Sequence, residues 1–413
     1  MSRIDELIAE HCPDGVRYIE AAQLFHLRNG YTPSKSNASF WSEGTIPWFR
    51  MEDIRANGGV LDRALQQIPE AAVKGGKLFP ANSLLVATSA TIGEHALVTI
   101  PHLSNQRFTS LSIKSEYADQ VDMKFMYYYG FVLDEWCRNN TTTSSFASVD
   151  MTGFKKFRFP VPPLEVQREI VRVLDQFTQL EAELEAELEA RRRQYEHYRD
   201  EALSFGDTVR TVPLGDVIHN LRTGLNPRQN FKLNAPGAAN QYITVRELAG
   251  FKIVPTDKTD LVDDEGLARI QARSRLQVGD VLFSGTGTIG RTALVEEDPT
   301  NWNIKEGVYA LTPKRDQISS RFLIHLLRSS VIRQRILGAA DGSTVASVSM
   351  ASLKRVLLPV PSLDEQDRVT TLLDKFEALT NDLSIGLPAE LAARRKQYEY
   401  YRDKLLTFEE AVA

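Results

Sequence analysis

The sequence predicts an α+β protein built as an internal repeat. Two mixed α/β blocks stand in tandem, each followed by a long helix, and the two helices form an antiparallel coiled coil. Three observations predict this. Segments recur in order at a nearly constant offset. Two acidic stretches carry apolar residues at helical spacing. The longer blocks mix short β-branched runs with helical stretches.

The repeat is plainest around the acidic stretches. Phe159-Pro-Val-Pro-Pro-Leu-Glu-Val-Gln167 returns as Leu358-Pro-Val-Pro-Ser-Leu-Asp-Glu-Gln366, and Leu174-Asp-Gln-Phe177 as Leu373-Asp-Lys-Phe376, both at offset 199. Arg192-Arg-Gln-Tyr-Glu-His-Tyr-Arg-Asp200 returns as Arg395-Lys-Gln-Tyr-Glu-Tyr-Tyr-Arg-Asp403 at offset 203, so the second copy carries four more residues between these landmarks. The blocks match more faintly. Gly30-Tyr-Thr-Pro33 answers Gly224-Leu-Asn-Pro227, and Trp48–Ile54 answers Tyr242–Leu248. Thr91-Ile-Gly93 answers Thr288-Ile-Gly290, and Ala147–Met151 answers Ala346–Met350. A shared skeleton with divergent side chains suggests two binding surfaces for two different targets.

The acidic stretches read as helices. Pro160, Pro162 and Pro163 close the preceding strand or loop and open the first helix. Ile170, Leu174, Phe177, Leu180, Leu184 and Leu188 then form one apolar stripe, and no glycine or proline interrupts residues 164–205. Roughly 40 residues make about 60 Å of helix. The second copy repeats the stripe with Val369, Leu372, Leu373, Phe376 and Leu379, and Gly386-Leu-Pro388 predicts a kink or short turn. Paired antiparallel, the helices cover each other's stripe. The other arrangement docks each helix on its own block.

In the blocks, Ser83–Thr88 and Gly279–Ser284 read as strands, and Val121–Cys137 and Ser320–Leu337 as helices. The boundaries expected are 1–16 for an N-terminal segment, 17–158 and 210–357 for the blocks, and 159–209 and 358–413 for the helices.

The chain's 413 residues suit two or three domains, and 42% apolar with 25% charged residues excludes a globally disordered chain. No apolar run reaches the length of a membrane helix, and the acidic start lacks a signal core, so a cytoplasmic protein is expected. Cys12 and Cys137 make neither a CxxC pair nor a disulfide framework. The net charge of −5 hides a partition: the blocks carry +2 and +6, the helical stretches −6 and −4. A modest basic excess on selected domains is compatible with phosphate binding.

The sequence carries no recognisable catalytic motif. Gly285-Thr-Gly-Thr-Ile-Gly290 matches GxGxxG, yet Arg291–Pro299 reads as strand and turn where a dinucleotide site needs a helix. A glycine-permitted hairpin near a ligand surface is the better reading. There is no P-loop, no HExxH, no cysteine-rich metal spacing and no Asn/Asp-Pro-Pro-Tyr/Phe stretch of amino-methylating enzymes.

Taken together, Pro160–Gln167, Pro359–Gln366, the two Arg/Lys-Gln-Tyr-Glu-(His/Tyr)-Tyr-Arg-Asp motifs and the opening Ile4–Gly15 resemble the DNA-specificity subunit of type I restriction–modification systems. The resemblance covers almost the whole chain. It implies that each block is a target recognition domain and that the coiled coil separates the two. It implies two methyltransferase subunits as partners, with motor-nuclease subunits completing a restriction enzyme. This chain then holds no cofactor and no metal; S-adenosylmethionine, ATP and magnesium belong to the partner subunits. Its own partner is double-stranded DNA, and no membrane is involved.

Base edges are read by hydrogen-bonding side chains, and phosphates are held by lysines and arginines. The candidates in the first block are Thr32, Ser34, Lys35, Arg50, Glu52, Ser89, Thr91, Asn105, Gln106 and Arg107. In the second they are Asn226, Arg228, Thr244, Arg246, Glu247, Thr286, Thr288, Asn303 and Lys305. Trp48 and Trp302 read as core or loop-packing residues. The coiled coil is assigned to Leu174, Phe177, Leu180, Leu184, Leu188, Leu373, Phe376 and Leu379. A different class of function, a coiled-coil scaffold that binds only proteins, differs from this one in lacking salt-dependent DNA affinity in the assembled complex.

Overall fold

A computed structural model describes residues 3–142, 147–206, 208–228, 230–340, 346–381 and 386–411. The chain divides into two compact units, Met1–Glu183 with Ala392–Ala413, and Leu184–Leu391. Each therefore contains one block and parts of both acidic helical stretches.

In the first unit a five-stranded sheet has the order Phe25–Asn29, Phe108–Ile113, Ser83–Ala87, His95–Val98, Val60–Leu61. Ser83–Ala87 is buried along its whole length, because both faces of the sheet are covered. Leu84 and Val86 pack with Phe125, Met126 and Leu133 of the helix Met123–Asn139. Leu85 and Ala87 face the other way, toward Phe49, Met51 and Phe79. A three-stranded sheet places Ile46–Phe49 between Gln67–Ile68 and Leu103–Ser104, the last pairing being parallel.

The second unit repeats this plan. Its four-stranded sheet runs Ile218–Thr223, Val308–Pro313, Val281–Ser284, Thr292–Leu294. Its three-stranded sheet sets Asn240–Ile243 between Leu261–Val262 and a parallel Trp302–Ile304. The glycine-rich segment 285–290 lies in the connection between two antiparallel strands, as its sequence suggested. The helix expected over Ser320–Leu337 is two helices, Ser320–Arg328 and Ser330–Gly338. Ser329 breaks it: its backbone is extended and its hydroxyl donates to the Leu326 carbonyl at 2.7 Å.

The first acidic stretch is one 39-residue helix, Leu164–Ala202. The second is two helices, Leu363–Asn381 and Leu387–Leu405, parted near Gly386, whose φ is +78°. The early turns dock on the unit's own block: Val166, Ile170 and Leu174 join the first core, Val369 and Leu373 the second. The later turns pair helix with helix. In the first unit Phe177 stacks on Tyr401 with centroids 5.6 Å apart, and Glu181 meets Arg395 at 2.6 Å, an antiparallel register. In the second unit Tyr198 stacks on Phe376 at 5.9 Å. Both arrangements weighed from sequence thus occur, on successive stretches. The uninterrupted leucine seam is corrected. Leu180 and Leu379 are 50% and 58% exposed, and Leu174 and Leu373 are core residues of the blocks. Leu184 is half-buried and Leu188 buried.

A buried glutamine fastens each block to its helix. The Gln167 carbonyl accepts the Asp122 N–H at 2.8 Å, and its amide donates to the carbonyls of Gln120 and Pro162 at 2.8 and 2.6 Å. Gln366 does the same with the Ser319 N–H and the carbonyls of Gln317 and Pro361, at 2.9, 2.8 and 3.0 Å. One turn pair further on, Asp175 takes Lys124 at 2.6 Å and the Tyr128 hydroxyl at 2.6 Å; Asp374 takes Arg321 at 2.6 Å and His325 at 2.8 Å. The C-terminal tail closes the first unit. Val16 donates to the Glu409 carbonyl at 2.8 Å, Ala411 donates back to Val16 at 3.0 Å, and Leu406 lies in the core.

Truncating either glutamine removes a fully buried amide and takes a partner from three backbone groups, most of them half-buried. Gln167→Ala and Gln366→Ala are each expected to lower stability by about 2–4 kcal/mol, read as a shifted midpoint in urea unfolding. A midpoint equal to that of the parent chain contradicts the clamp.

Candidate nucleic-acid interface

In both units the polar candidates gather where the three-stranded sheet ends. In the first, Ile46–Phe49 runs out into Arg50, and the Asn105 N–H donates to the Phe49 carbonyl at 3.1 Å. The loop carrying Ser89 and Thr91 is tied on by Thr88, which donates to the Arg107 carbonyl at 2.9 Å. In the second, Lys305 donates to the Ile243 carbonyl at 2.8 Å and Gly285 to the Gly307 carbonyl at 2.8 Å. A third loop starts at Gly30 or Gly224. A Cβ there would lie 2.1 Å from the Asn105 carbonyl oxygen or 1.7 Å from that of Ile304, so only glycine admits the approach.

The hydrogen bonds align the edges residue by residue. Asn105, Gln106 and Arg107 stand where the second unit has Lys305, Glu306 and Gly307; Arg50 and Glu52 stand where it has Thr244 and Arg246. The framework is common and the chemistry presented differs.

The first edge exposes Lys35, Glu52, Gln106 and Arg107. The Thr32 hydroxyl donates to the Gln106 side-chain amide oxygen, that of Asn105 accepts the Arg107 N–H at 3.0 Å, and the Ser34 and Ser36 hydroxyls lie 2.8 Å apart. The Arg50 guanidinium lies 5.8 Å from the centre of the Trp48 ring and 3.9 Å from Glu52. Trp48 is a core residue as expected, its indole N–H donating to the Tyr31 carbonyl at 2.9 Å. Trp302 is half-buried beside the second core.

The second edge forms a cleft of about 410 Å³ that brings Thr244, Arg246, Thr286 and Lys305 together with Pro227, Asp260 and Glu306. Arg228 and Thr288 are exposed, and Asn226 is half-buried. Tyr242 underlies the cleft and donates to the Leu225 carbonyl at 2.7 Å. Burial, with Glu306 and Asp260 nearby, holds its phenol above the ordinary range.

Three candidates are corrected. Glu247 is buried, and its carboxylate accepts the Thr244 N–H at 2.8 Å, the Thr244 hydroxyl at 2.7 Å and the Thr259 hydroxyl at 3.3 Å. Thr244 is buried with it, so both form a cap that shapes the turn. Asn303 is buried and spends its amide on Ser274 and the Ile304 N–H. Asp53, never a candidate, is the first unit's counterpart of Glu247, accepting the N–H groups of Arg50 and Leu65 at 2.7 and 2.6 Å. Glu306 and Asp260 were missed. Glu306 was legible as the repeat partner of Gln106; Asp260 lies in a loop for which the repeat offers no landmark.

Elsewhere, His95 is buried between the Asp134 carboxylate at 2.6 Å and the Tyr127 carbonyl at 2.8 Å, both ring nitrogens engaged. Among the described residues no group of three or more His, Cys, Asp or Glu is placed to hold a metal ion. No described helix is long and apolar enough to cross a membrane.

The profile of the type I restriction modification DNA specificity domain matches twice, over residues 13–190 and 206–393, and the chain belongs to that family. The type I restriction enzyme EcoprrI specificity subunit of Escherichia coli is 41% identical over 393 residues, 91% of each chain. The EcoR124I/EcoR124II specificity subunit of Escherichia coli is 32% identical over 306 residues, 69% of this chain and 71% of the relative. A solved chain from a study of complex assembly and conformational transition of the type I R-M system shares the fold. Its TM-score is 0.62 at 17% identity, covering 95% of this chain and 98% of that one.

His102 supports the first edge from beneath, edge-on to Phe49 and Phe79 at 5.5 Å each. Burial pushes its pKa down to about 4. Its unfolded value is about 6.5, so protons bind the unfolded chain more tightly. The stabilisation is full above pH 6.5 and is lost as pH falls toward 4. His102→Asn, which keeps a donor for the Ile100 carbonyl, is expected to flatten the decline in melting temperature between pH 6.5 and 5. An equally steep decline in the variant contradicts this.

Proposed function

We propose that the chain is the address-reading subunit of a type I restriction–modification complex. Each unit reads one half of an asymmetric two-part DNA site. The single observation that carries this is the pair of matching edges: one framework, built twice, presenting different polar side chains at corresponding positions. Two different half-sites are what such a pair would read, with lysines and arginines holding phosphates alongside.

On this reading the chain contributes specificity and no catalysis. Two methyltransferase subunits dock on it and modify adenine at N6 with S-adenosylmethionine. Motor-nuclease subunits with ATP and magnesium complete the restriction enzyme. The paired helices set the number of unread bases between the halves. The tetrapeptide Leu-Glu-Ala-Glu at 180–183 and 184–187 supports that role. Four helical residues are about 6 Å and slightly more than one turn, so units can be gained or lost with the helix face roughly kept.

Mapping N6-methyladenine across the host genome with and without the gene tests the function. Loss of one asymmetric, two-part motif is expected; an unchanged methylation pattern leaves a protein scaffold as the function. In a host that passes this test, deleting residues 184–187 is expected to shorten the unread spacer and leave both halves unchanged. A spacer of unaltered length in the deletion strain contradicts the ruler.

A further inference from the structure

The second edge contains an arginine whose orientation is fixed from one side. The Arg246 side chain is 57% exposed at the cleft. Its Nε donates to the Thr244 hydroxyl at 3.3 Å, and Nη2 donates to Asp260 at 3.1 Å. Glu247 adds negative charge 3.7 Å from Nε. Thr244 and Glu247 are themselves locked in the buried turn cap. The Nε–Nη2 edge of the guanidinium is therefore occupied. Among the described residues Nη1 makes no hydrogen bond, so Nη1 and the second Nη2 hydrogen form a planar two-donor fork at the open end of a guanidinium that lines the cleft.

We propose that Arg246 is a specificity-determining residue that reads a guanine through the N7 and O6 acceptors of its major-groove edge; this rests on the DNA-reading function proposed above. Two parallel donors on a rigid plane match two acceptors on one base edge. A carboxylate bonded to the other edge of the guanidinium limits its rotamers before DNA arrives, which favours reading a base over following a flexible phosphate. Its neighbour Lys305 is exposed and offers a compact charge without a planar fork, the chemistry of a phosphate contact. The first unit places its arginine two positions earlier, at Arg50, and an acid at Glu52, so its edge presents a different pattern.

The test is methylation mapping with the full complex carrying Arg246→Lys, Arg246→Ala, Asp260→Asn or Lys305→Ala. With Arg246→Lys and Arg246→Ala, discrimination at one guanine position in one half-site is expected to fall about tenfold or more, the other half being unchanged. Asp260→Asn relaxes the same position more weakly. Lys305→Ala lowers methylation of all sites alike and keeps the motif. Arg246→Lys is the decisive variant, because it keeps the charge and removes the fork. A Lys variant with the parent motif overturns the proposal, whether or not the Ala variant methylates. Relaxation at an A·T position overturns it as well. If the unmodified complex yields a two-part motif that no Arg246 variant alters, this assignment fails and the DNA-reading function stands. If the unmodified complex yields no such motif, both fail.

Discussion

In each unit one amide side chain ties the recognition block to its acidic helix. Gln167 and Gln366 are fully buried, and each bridges three backbone groups at the junction of block and helix. The bonds join the approach to the block's helix with the first turn of the acidic helix. Because all three partners are main-chain atoms, the joint does not depend on which side chains the block carries. The neighbouring clamp keeps its carboxylate, Asp175 or Asp374, while its other members differ: lysine and tyrosine in one unit, arginine and histidine in the other. The joint is held constant and the surface beyond it is left free to diverge.

That separation explains what was legible in the sequence. The repeat, the helical stretches and the strands around Ser83 and Val281 were readable, since their apolar patterns and turn residues are dictated by backbone geometry. Most candidate polar residues lie on the two edges, because the repeat placed them in matching loops. Glu247, Thr244 and Asn303 were misread for a physical reason. A carboxylate that caps a turn and one that accepts from a base are the same residue type in the same kind of loop. Burial separates them, and burial depends on the segments around Thr259 and Ser274, which are distant in sequence.

The helices show the same limit. A stripe at spacings of three and four says that a face is covered, not by what. Here the cover changes along the helix, from the block's core at Ile170 and Leu174 to an aromatic ring of the other helix at Phe177. In the polar stretch after it Leu180 is exposed and Glu181 meets Arg395 of the other helix. A half-exposed ion pair of this kind contributes about 1 kcal/mol or less.

The division of the chain also orders its synthesis. The second unit is one continuous segment, whereas the first needs the last turns of the chain to cover its apolar floor. The whole second unit lies in sequence before Leu406 and the strand-like contacts of Glu409 and Ala411 that close the first. A product cut short anywhere before that point keeps an uncovered core at its own beginning. The stability of the first block thereby rests on contacts across most of the sequence, such as the Tyr18 hydroxyl donating to the Phe408 carbonyl 390 positions away.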